Sequence, residues 1–492
     1  MKAALFRSKS LPLTVTRAVH SSYEPPLLAQ HIARIKELGL YLRGEPESIQ
    51  GAHETFNAPA DNLETLFLAQ RVPESHGDWA LMGNSCSLPS NFLAAQAPKL
   101  RRISLYNYAM DWSSPLLSAS IVHLEVVIPL KARVRGPSQA QPPATQRDKF
   151  YDCLAGLPSL EALVLGGCIP SHAFPPELSD NRPVIHMVNL QRLSIDDRAW
   201  PAADLLGHLA APACTSLKLK VLNSSDQNMQ RNYELLSQML KKSSIAVDVP
   251  SRPIQTVRVC VLQMGQHPWL TMKGWSVLRV AGDGYPIFQP ESEPSFDFTL
   301  DLREGPRPKM EEAAFMTKLR HILSAIPPAN VSTLSLELPQ FGAPSSGRPL
   351  ARALQGWDSV RSLDCGDSST QMVFGALARQ NSSPPAASDS DDIFLRGLEA
   401  VSVPEGILSK VYSVSQTFFG DILVPKLRSR KEMGFPLKKL YIVRSHPGFP
   451  HYSWVENLQQ VVPVLAHQKS ASREGSRAPR YSALPPDEAP AA

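Results

Sequence analysis

Long apolar runs and paired cysteines are missing from the sequence. No stretch approaches the roughly 18 consecutive apolar residues of a membrane-spanning helix, and the N-terminal residues lack the apolar core of a secretory signal. The six cysteines lie far apart with no Cys-x-x-Cys pair, which is typical of a reducing compartment, and we place Cys214, Cys260 and Cys365 in strands. We therefore expect a cytoplasmic protein with no membrane association.

Neither sign of charge dominates. The chain has 50 basic and 45 acidic residues, a net charge of +5, which is a mild excess for a soluble protein. Nucleic-acid-binding domains usually concentrate basic residues around a recognition motif, and no such motif is found. We expect no nucleic-acid partner. The 43% hydrophobic content is enough for a buried core and excludes wholesale disorder.

The common catalytic and cofactor motifs are also missing. The sequence contains no G-x-S-x-G, no phosphate-binding loop, no G-x-G-x-x-G and no H-E-x-x-H. His446 and His451 lie close together, but no cysteine or carboxylate is near them, so a turn that caps the last repeat is favoured over a metal site. We predict a protein that is not an enzyme and holds no cofactor or metal. An α/β enzyme with an unfamiliar site is the least favoured alternative.

Proline is abundant instead. Its 45 residues are about twice the average usage, which indicates short helices and strands separated by many loops. Segments 131–147, 341–349 and 380–392 are rich in proline, serine, alanine and charge, and are predicted to be loops. Residues 467–492 have a similar composition and are predicted to form a disordered tail.

A six-residue apolar pattern, L-x-x-L-x-L with other apolar residues allowed, recurs along nearly the whole chain. Its last two apolar positions alternate with polar ones, as in a short strand buried on one face. Successive units start 21 to 40 residues apart, a looser spacing than the 20–29 of regular leucine-rich repeats. The candidate units begin at Ile35, Leu63, Leu100, Ile121, Leu160, Leu190, Cys214, Ile254, Trp275, Phe296, Val331, Val360, Leu398 and Leu437.

The segments between these strands often have helical periodicity. Phe315, Leu319 and Leu323, for example, precede a proline pair and the next strand. Because helical connections allow successive strands to lie parallel, we predict an α/β leucine-rich-repeat-like solenoid with a curved parallel sheet, outer helices and degenerate repeats. It would span residues 35–466, after a lead-in at residues 1–34. An ordinary α/β protein in which the pattern recurs by chance is the alternative.

Two short basic segments raise alternatives to a cytoplasmic location, the nucleus and the mitochondrion. Residues 426–431 resemble a nuclear localisation patch, although basic residues are also common at the C-terminal ends of helices. Residues 1–23 carry four lysines or arginines and no acid, as mitochondrial presequences do. Pro12 interrupts a long helix there, which favours a short helix followed by a strand at 13–16.

The segment Leu157-Pro-Ser-Leu-Glu-Ala-Leu-Val-Leu-Gly-Gly-Cys168 resembles the leucine-rich repeats of the expanded fungal F-box protein family. The resemblance extends over roughly residues 5 to 465, and it implies a protein that holds a target for a ubiquitin ligase. The F-box itself is a helical module, and the residues before Ile35 do not provide it. We therefore expect the module either upstream of this chain or lost, with a ligase adaptor as a partner only in the first case. A free-standing scaffold or adaptor without a ubiquitin role is the alternative.

The repeat pattern predicts which side chains face a partner. In each unit these are the third, fifth and seventh positions, which alternate with the buried ones. Between the units at Leu190 and Trp275 the predicted cations outnumber the single acid Asp196, which indicates an acidic partner segment, with ordinary solvated charge as the alternative. The predicted partner-binding residues are Tyr41, Phe67, Arg102, Tyr106, Arg192, Lys218, Lys220, Arg258, Arg279, Lys439 and Tyr441.

Overall fold

The fold is taken from a computed structural model of the chain. The structure describes residues 2–19, 24–43, 46–71, 86–128, 144–170, 183–222, 234, 237–238, 240, 253–264, 267–276, 294–302, 311–339, 341, 347–377, 394–408, 419–444 and 453–469. They belong to two compact units, Met1–Val331 and Ser332–Ala492.

The first unit contains most of the strands. They are β1 (Leu13–Val19), β2 (Ile35–Arg43), β3 (Thr65–Arg71), β4 (Cys86–Ser87), β5 (Arg102–Tyr106), β6 (Tyr108–Ala109), β7 (His123–Val127), β8 (Ala162–Gly166), β9 (Ile185–His186), β10 (Arg192–Arg198), β11 (Leu209–Ala210), β12 (Ser216–Leu222), β13 (Thr256–Met264), β14 (His267–Trp275) and β15 (Phe296–Asp301). Its helices are α1 (Lys2–Arg7), α2 (Glu24–Ala29), α3 (Pro46–Glu54), α4 (Ala144–Ala155), α5 (Ala199–His208) and α6 (Glu312–Leu323), with 3-10 turns at Ile32–Arg34, Phe92–Ala95 and Pro328–Asn330.

The main sheet of the first unit has the order β1-β2-β3-β5-β7-β8-β10-β12-β15-β14-β13. All neighbouring strands are parallel except β14, which is antiparallel to both β13 and β15. Two small sheets, β4 with β6 and β9 with β11, accompany it. The prediction of an α/β protein with a large, mostly parallel sheet is confirmed.

The second unit repeats this arrangement on a smaller scale. Its strands β16 (Thr333–Glu337), β17 (Ser362–Cys365), β18 (Ala400–Pro404), β19 (Lys439–Arg444) and β20 (Val464–Lys469) pair in sequence order, all in parallel. The helices are α7 (Arg348–Ala353), α8 (Asp367–Leu377), α9 (Glu405–Leu408), α10 (Phe419–Glu432) and α11 (Ser453–Val461). In the described parts of both units, no helix has the length and apolar character needed to cross a membrane.

Rows of apolar side chains in register form the core of the first unit. The pairing aligns Leu38, Leu66, Ile103, Leu124, Leu163, Leu193 and Leu217 in one row across seven strands, and all of them are buried. Each buried side chain contributes about 1.5–3 kcal/mol to the hydrophobic stabilisation. The leading leucines of the units, such as Leu63, Leu100 and Leu160, are buried as well. The apolar positions of the repeat pattern are therefore core positions.

One part of the predicted order is wrong. The unit at Ile254 leads into β13 as expected, but β14, which the repeat pattern did not predict, ends at Trp275 and pairs antiparallel with β13. The strand expected after Trp275 lies outside the described residues. Only Gly265 and Gln266 separate these two strands in the sequence, and a parallel connection needs about a dozen residues or more. Two alternating apolar runs separated by a Gly-x dipeptide are a hairpin signal that the repeat pattern obscured.

Several predicted boundaries also differ from the structure. The strand expected at 13–16 is present as β1, and it pairs with β2 although it lies in the segment assigned as a lead-in. Strand β20 extends to Lys469, past the predicted end of the repeats at residue 466. Helix α4 begins at Ala144 inside the predicted loop 131–147. Residues 380–392, His446, His451 and 470–492 lie outside the described residues.

The cysteines are free thiols, and all except Cys153 are buried. Cys260 and Cys365 lie in β13 and β17 as predicted, whereas Cys214 precedes β12. Burial raises the pKa of the Cys153 thiol to about 12 and that of Cys214 to about 11. Thiolates at these two positions are therefore scarce at neutral pH.

The basic segment 426–431 belongs to α10, and its cations are not all exposed. Lys426 donates from Nζ to the carbonyl oxygen of Phe374 at 3.3 Å, and burial lowers its pKa. Arg430 is buried and donates to the carbonyl oxygens of Phe394 and Leu395 at 2.8 and 2.6 Å. These two cations stabilise the second unit, so a receptor that reads basic side chains has only Arg428 and Lys431 exposed in this segment.

A histidine is fully buried among aromatic rings in the first unit. His53 of α3 contacts Tyr108 of β6, with 3.2 Å between Nε2 and the hydroxyl oxygen, and packs edge-on against Phe92. Desolvation by burial lowers the pKa of His53 from 6.5 to about 4. The folded state therefore holds this imidazole neutral at pH values where the unfolded chain protonates it.

We expect the first unit to lose stability below pH 6.5 for this reason. Between pH 6.5 and about 4 only the unfolded state takes up the proton, so the free energy of unfolding falls, by about 2 kcal/mol at pH 5 relative to pH 7. His53→Gln keeps a neutral hydrogen-bonding group and should remove this component. Urea unfolding at pH 7 and pH 5 measures it, with His186→Gln at an exposed position as the control. An unchanged pH dependence in His53→Gln would show that the component belongs to other groups.

Candidate functional site

Alternate residues of the first unit's main sheet form a face opposite to the leucine rows, which we call the open face. Phe67, for example, points away from its buried neighbours Leu66 and Leu68 and is half-buried. The pairing aligns its side chains in rows. One row contains Glu37, Thr65, Arg102, His123, Ala162, Arg192 and Ser216; the next contains Gly39, Phe67, Ser104, Glu125, Val164, Ser194, Lys218, Asp297, Lys273 and Arg258; the third contains Tyr41, Ala69, Tyr106, Val127, Gly166, Asp196, Lys220 and Thr299.

The structure brings most of the predicted partner-binding residues to this one face. Those on the open face and at least partly exposed are Tyr41, Phe67, Arg102, Tyr106, Arg192, Lys218, Lys220 and Arg258. Arg279 lies outside the described residues. Lys439 and Tyr441 belong to the second unit, where Lys439 is half-buried but Tyr441 is buried at 6% exposure. Tyr441 is therefore not an accessible contact residue.

The corresponding sheet face of the second unit is more closed. Thr333, Ser335 and Ser402 are buried there, and Ser335 Oγ donates to Asp364 Oδ2 at 3.1 Å. Small hydroxyl side chains on this face satisfy one another or neighbouring polar groups instead of projecting outward. The candidate site is consequently the open face of the first unit.

Three aromatic rings form a row at the β2–β5 end of the open face. The ring centroids of Tyr41 and Phe67 are 5.0 Å apart, those of Phe67 and Tyr106 are 5.5 Å apart, and both pairs are tilted. Gly39 lies beside Phe67 in the register, and Ala69 lies between Tyr41 and Tyr106. These small residues leave the faces and edges of the rings accessible, so the row provides a shallow apolar surface.

A hydrogen-bonded carboxylate borders the aromatic row. The hydroxyl of Tyr106 donates to Glu125 Oε1, and His123 Nε2 lies 3.8 Å from the other oxygen. Burial opposes ionisation of Glu125, but hydrogen bonds from His123, Tyr106 and Ser104 outweigh it and lower its pKa. Burial and the nearby Glu125 raise the pKa of Tyr106. Glu125 is therefore ionised at neutral pH, and the phenol retains its proton.

The β10–β14 end of the open face is rich in charge, and part of this charge is paired. Lys220 Nζ lies 2.6 Å from Asp196 Oδ2 and 5.8 Å from the centroid of the Trp269 ring. Lys273 Nζ lies 3.5 Å from Asp297 Oδ2. The expectation that these cations face a single acid is therefore wrong, because Asp297 lies among them as well. Asp297 was not counted because it lies on β15, and sequence order places the unit at Ile254, not β15, beside β12.

A positive excess remains at this end. Within the three rows described above, five cations (Arg192, Lys218, Lys220, Arg258 and Lys273) face two carboxylates (Asp196 and Asp297) at this end. Arg192 and Lys218 are exposed, and neither forms an ion pair with another residue in the part of the chain that the structure describes. The exposed ends of these two side chains are available to an anionic group.

His123 and Glu125 lie on the open face but were not among the predicted partner-binding residues, although they occupy the outward positions of a repeat unit. His123 and Glu125 are the third and fifth residues of the unit at Ile121. Lys273 and Trp269 could not be found this way, because they lie on the antiparallel strand β14. Within the described residues, no group of three or more histidine, cysteine or carboxylate side chains is placed to hold a metal ion.

Comparison with known proteins leaves the chain without an assigned family. No protein-family model matches the sequence. No curated protein matches it at a significant level of similarity. The functional argument therefore depends on the geometry and charge of the open face.

Proposed function

We propose that the protein is a non-enzymatic interaction protein whose open face binds a segment of a protein partner. The observation that carries this proposal is the combination, on one sheet face, of a partly exposed aromatic row and the exposed cations Arg192 and Lys218, which form no ion pair with another described residue. Tyrosine and arginine are the usual anchors of protein interfaces. The opposite face is filled by leucines of the core and is not accessible.

The proposal includes the finer assignment of the fold as a leucine-rich-repeat-like solenoid. Its support is the leucine register, in which successive units from Ile35 to Cys214 lead into adjacent parallel strands with aligned core positions. Stacking units of this kind lengthens the sheet and creates an extended recognition surface. The antiparallel strand β14 is a departure from such an array.

The role of a substrate-recognition protein for a ubiquitin ligase is part of the same proposal and depends on the resemblance of residues 157–168 to fungal F-box proteins. A ligase adaptor would bind only where an F-box precedes this chain. Affinity purification with and without any upstream coding segment tests this role. Ligase subunits recovered only with that segment would support it, whereas their absence from both forms would favour a free-standing adaptor. We propose the cytoplasm as the compartment, with the nucleus as the alternative.

A charge-reversal experiment tests the binding face. We expect Arg192→Glu with Lys218→Glu to weaken the binding of a fluorescein-labelled hexaglutamate peptide at least about tenfold, which corresponds to about 1.4 kcal/mol. Loss of two attractive contacts and the gain of two repulsive ones is the physical reason. Fluorescence anisotropy at low salt measures the affinity.

The control is Lys99→Glu with Arg320→Glu, which changes the net charge equally at exposed positions away from the open face. This control should bind the peptide nearly as well as the unmodified protein. Equal weakening in both variants would mean that only net charge matters. An unmodified protein that does not bind hexaglutamate would contradict the acidic-partner proposal.

A further inference from the structure

The open face has two chemically different ends that lie a definite distance apart. Phe67 and Lys218 belong to the same row and are separated by five strand-to-strand steps, from β3 to β12. Tyr106 and Arg192 are separated by three steps, from β5 to β10. At about 4.8 Å per step, Phe67 and Lys218 are about 24 Å apart. Tyr106 and Arg192 are about 14 Å apart across the strands and four residues, or about 13 Å, apart along them, which gives about 19 Å.

The strand that lies between the two ends, β8, carries no charged side chain on the open face. Strand β8 contributes Ala162, Val164 and Gly166 to the open face, between β7 and β10. Ala162 and Gly166 are buried, and a Cβ atom at Gly166 would lie only 3.0 Å from Cγ1 of Val127. This strand therefore presents only short, uncharged side chains between the two ends.

The charges at the two ends differ as well. At the aromatic end the rows contain the carboxylates of Glu37 and Glu125 and the cation Arg102, and His123 lies 3.8 Å from Glu125. At the other end, the same three rows contain five cations and two carboxylates. A run of carboxylates on a ligand is attracted to the β10–β12 end and gains nothing at the aromatic end, where ionised Glu125 repels it.

We propose that the partner is an extended segment with a large aromatic or apolar side chain about six or seven residues from a cluster of acidic residues. The aromatic side chain packs on Phe67 and its neighbours while the acidic cluster lies against Arg192 and Lys218. The spacing follows from the strand separations and from the rise of about 3.3 Å per residue of an extended chain. This inference rests on the proposed function, because it names the chemistry of the partner at the same face.

Peptides of defined spacing test this directly. Each fluorescein-labelled probe carries one tryptophan and four consecutive glutamates, separated by one, three, five, seven or eleven glycine and serine residues, in both chain directions. Matched probes carry alanine in place of tryptophan. We expect the tryptophan to strengthen binding about fivefold or more at five and seven spacer residues and little at one or three, because so short a chain cannot reach both ends. The gain should be smaller again at eleven, because the effective concentration falls as the linker lengthens.

Two variants locate the aromatic contact. Phe67→Ala should remove the gain from tryptophan but leave the affinity of the alanine probes unchanged. Ala69→Gln places a longer, neutral side chain between Tyr41 and Tyr106 while removing no contact. It should also remove the tryptophan gain, and it keeps the test valid if Phe67→Ala impairs folding.

The outcomes separate this inference from the proposed function. An affinity that does not depend on spacing, or a tryptophan gain that survives both variants, would overturn the inference. If the alanine probes still bind and still depend on Arg192 and Lys218, the proposed function stands without it. If no probe binds the unmodified protein, both are wrong.

Discussion

Replacing Asp204 with alanine is expected to lower the free energy of unfolding of the first unit by about 3–5 kcal/mol. Asp204 of α5 accepts two hydrogen bonds from Arg147 of α4, from Nε at 3.0 Å and from Nη2 at 2.6 Å. Tyr151 donates a third from its hydroxyl at 2.8 Å. Arg147 and Asp204 are at most 7% exposed. Without the carboxylate, a buried guanidinium loses its counter-ion and a buried phenol loses its acceptor.

Urea unfolding followed by circular dichroism measures this effect. The matched control is Glu64→Ala, which removes the partner of Lys36 in an ion pair 3.3 Å long whose side chains are 47% and 43% exposed. Solvent screening should limit that loss to about 1 kcal/mol or less. The triple variant Arg147→Met with Tyr151→Phe and Asp204→Leu should recover most of the stability, because it replaces the carboxylate and both of its donors with apolar side chains. An Asp204→Ala loss no larger than that of Glu64→Ala would contradict this account.

A second large effect is expected in the second unit, from Gly347→Ala. Gly347 has a φ of +69° at the N-terminus of α7, and an added Cβ would lie 2.0 Å from the backbone nitrogen of Ala376 and 2.3 Å from the carbonyl carbon of Gly375. Backbone atoms of α8 cannot rotate away as a flexible side chain would. We expect a loss of more than about 3 kcal/mol in the free energy of unfolding.

Gly356 provides the matched control. Its φ of +85° is also left-handed, but an added Cβ meets nothing within 4 Å. Gly356→Ala should therefore show the conformational cost alone, about 1–2 kcal/mol. The difference between the two variants measures the steric clash between α7 and α8. Similar losses in both variants would show that these two elements are not packed closely at this point.

The strands and their buried sides were predictable because they depend on local sequence. A strand alternates its side chains with a period of two, so the apolar positions of units such as those at Leu63 and Leu160 identify the core side, and the remaining positions identify the open face. For the same reason Tyr41, Phe67 and Tyr106 were recognisable as outward-facing residues before their contacts were known. Their mutual packing follows from parallel pairing in register.

The order of strands around β13–β15 was not predictable from the repeat pattern. Parallel and antiparallel neighbours have the same alternation, so alternation does not reveal the direction of pairing, and β14 falls outside the repeat units. The insertion of β15 beside β12 brings Asp297 to the basic end and leaves a smaller excess of positive charge than the chain order implied. This pairing depends on contacts between distant segments, so tertiary structure decided the electrostatics of the site.

The sequence by itself determined the α/β class, the parallel strands, the leucine core and the outward side of most strands, since each follows from periodicity over a few residues. Only the tertiary structure decided which outward residues remain accessible. Tyr441 follows the same pattern as Tyr41, yet it is buried, and Arg147 of a predicted loop is buried against Asp204. Burial and ion pairing depend on what packs against a residue from elsewhere in the chain, and local periodicity carries no information about that neighbour.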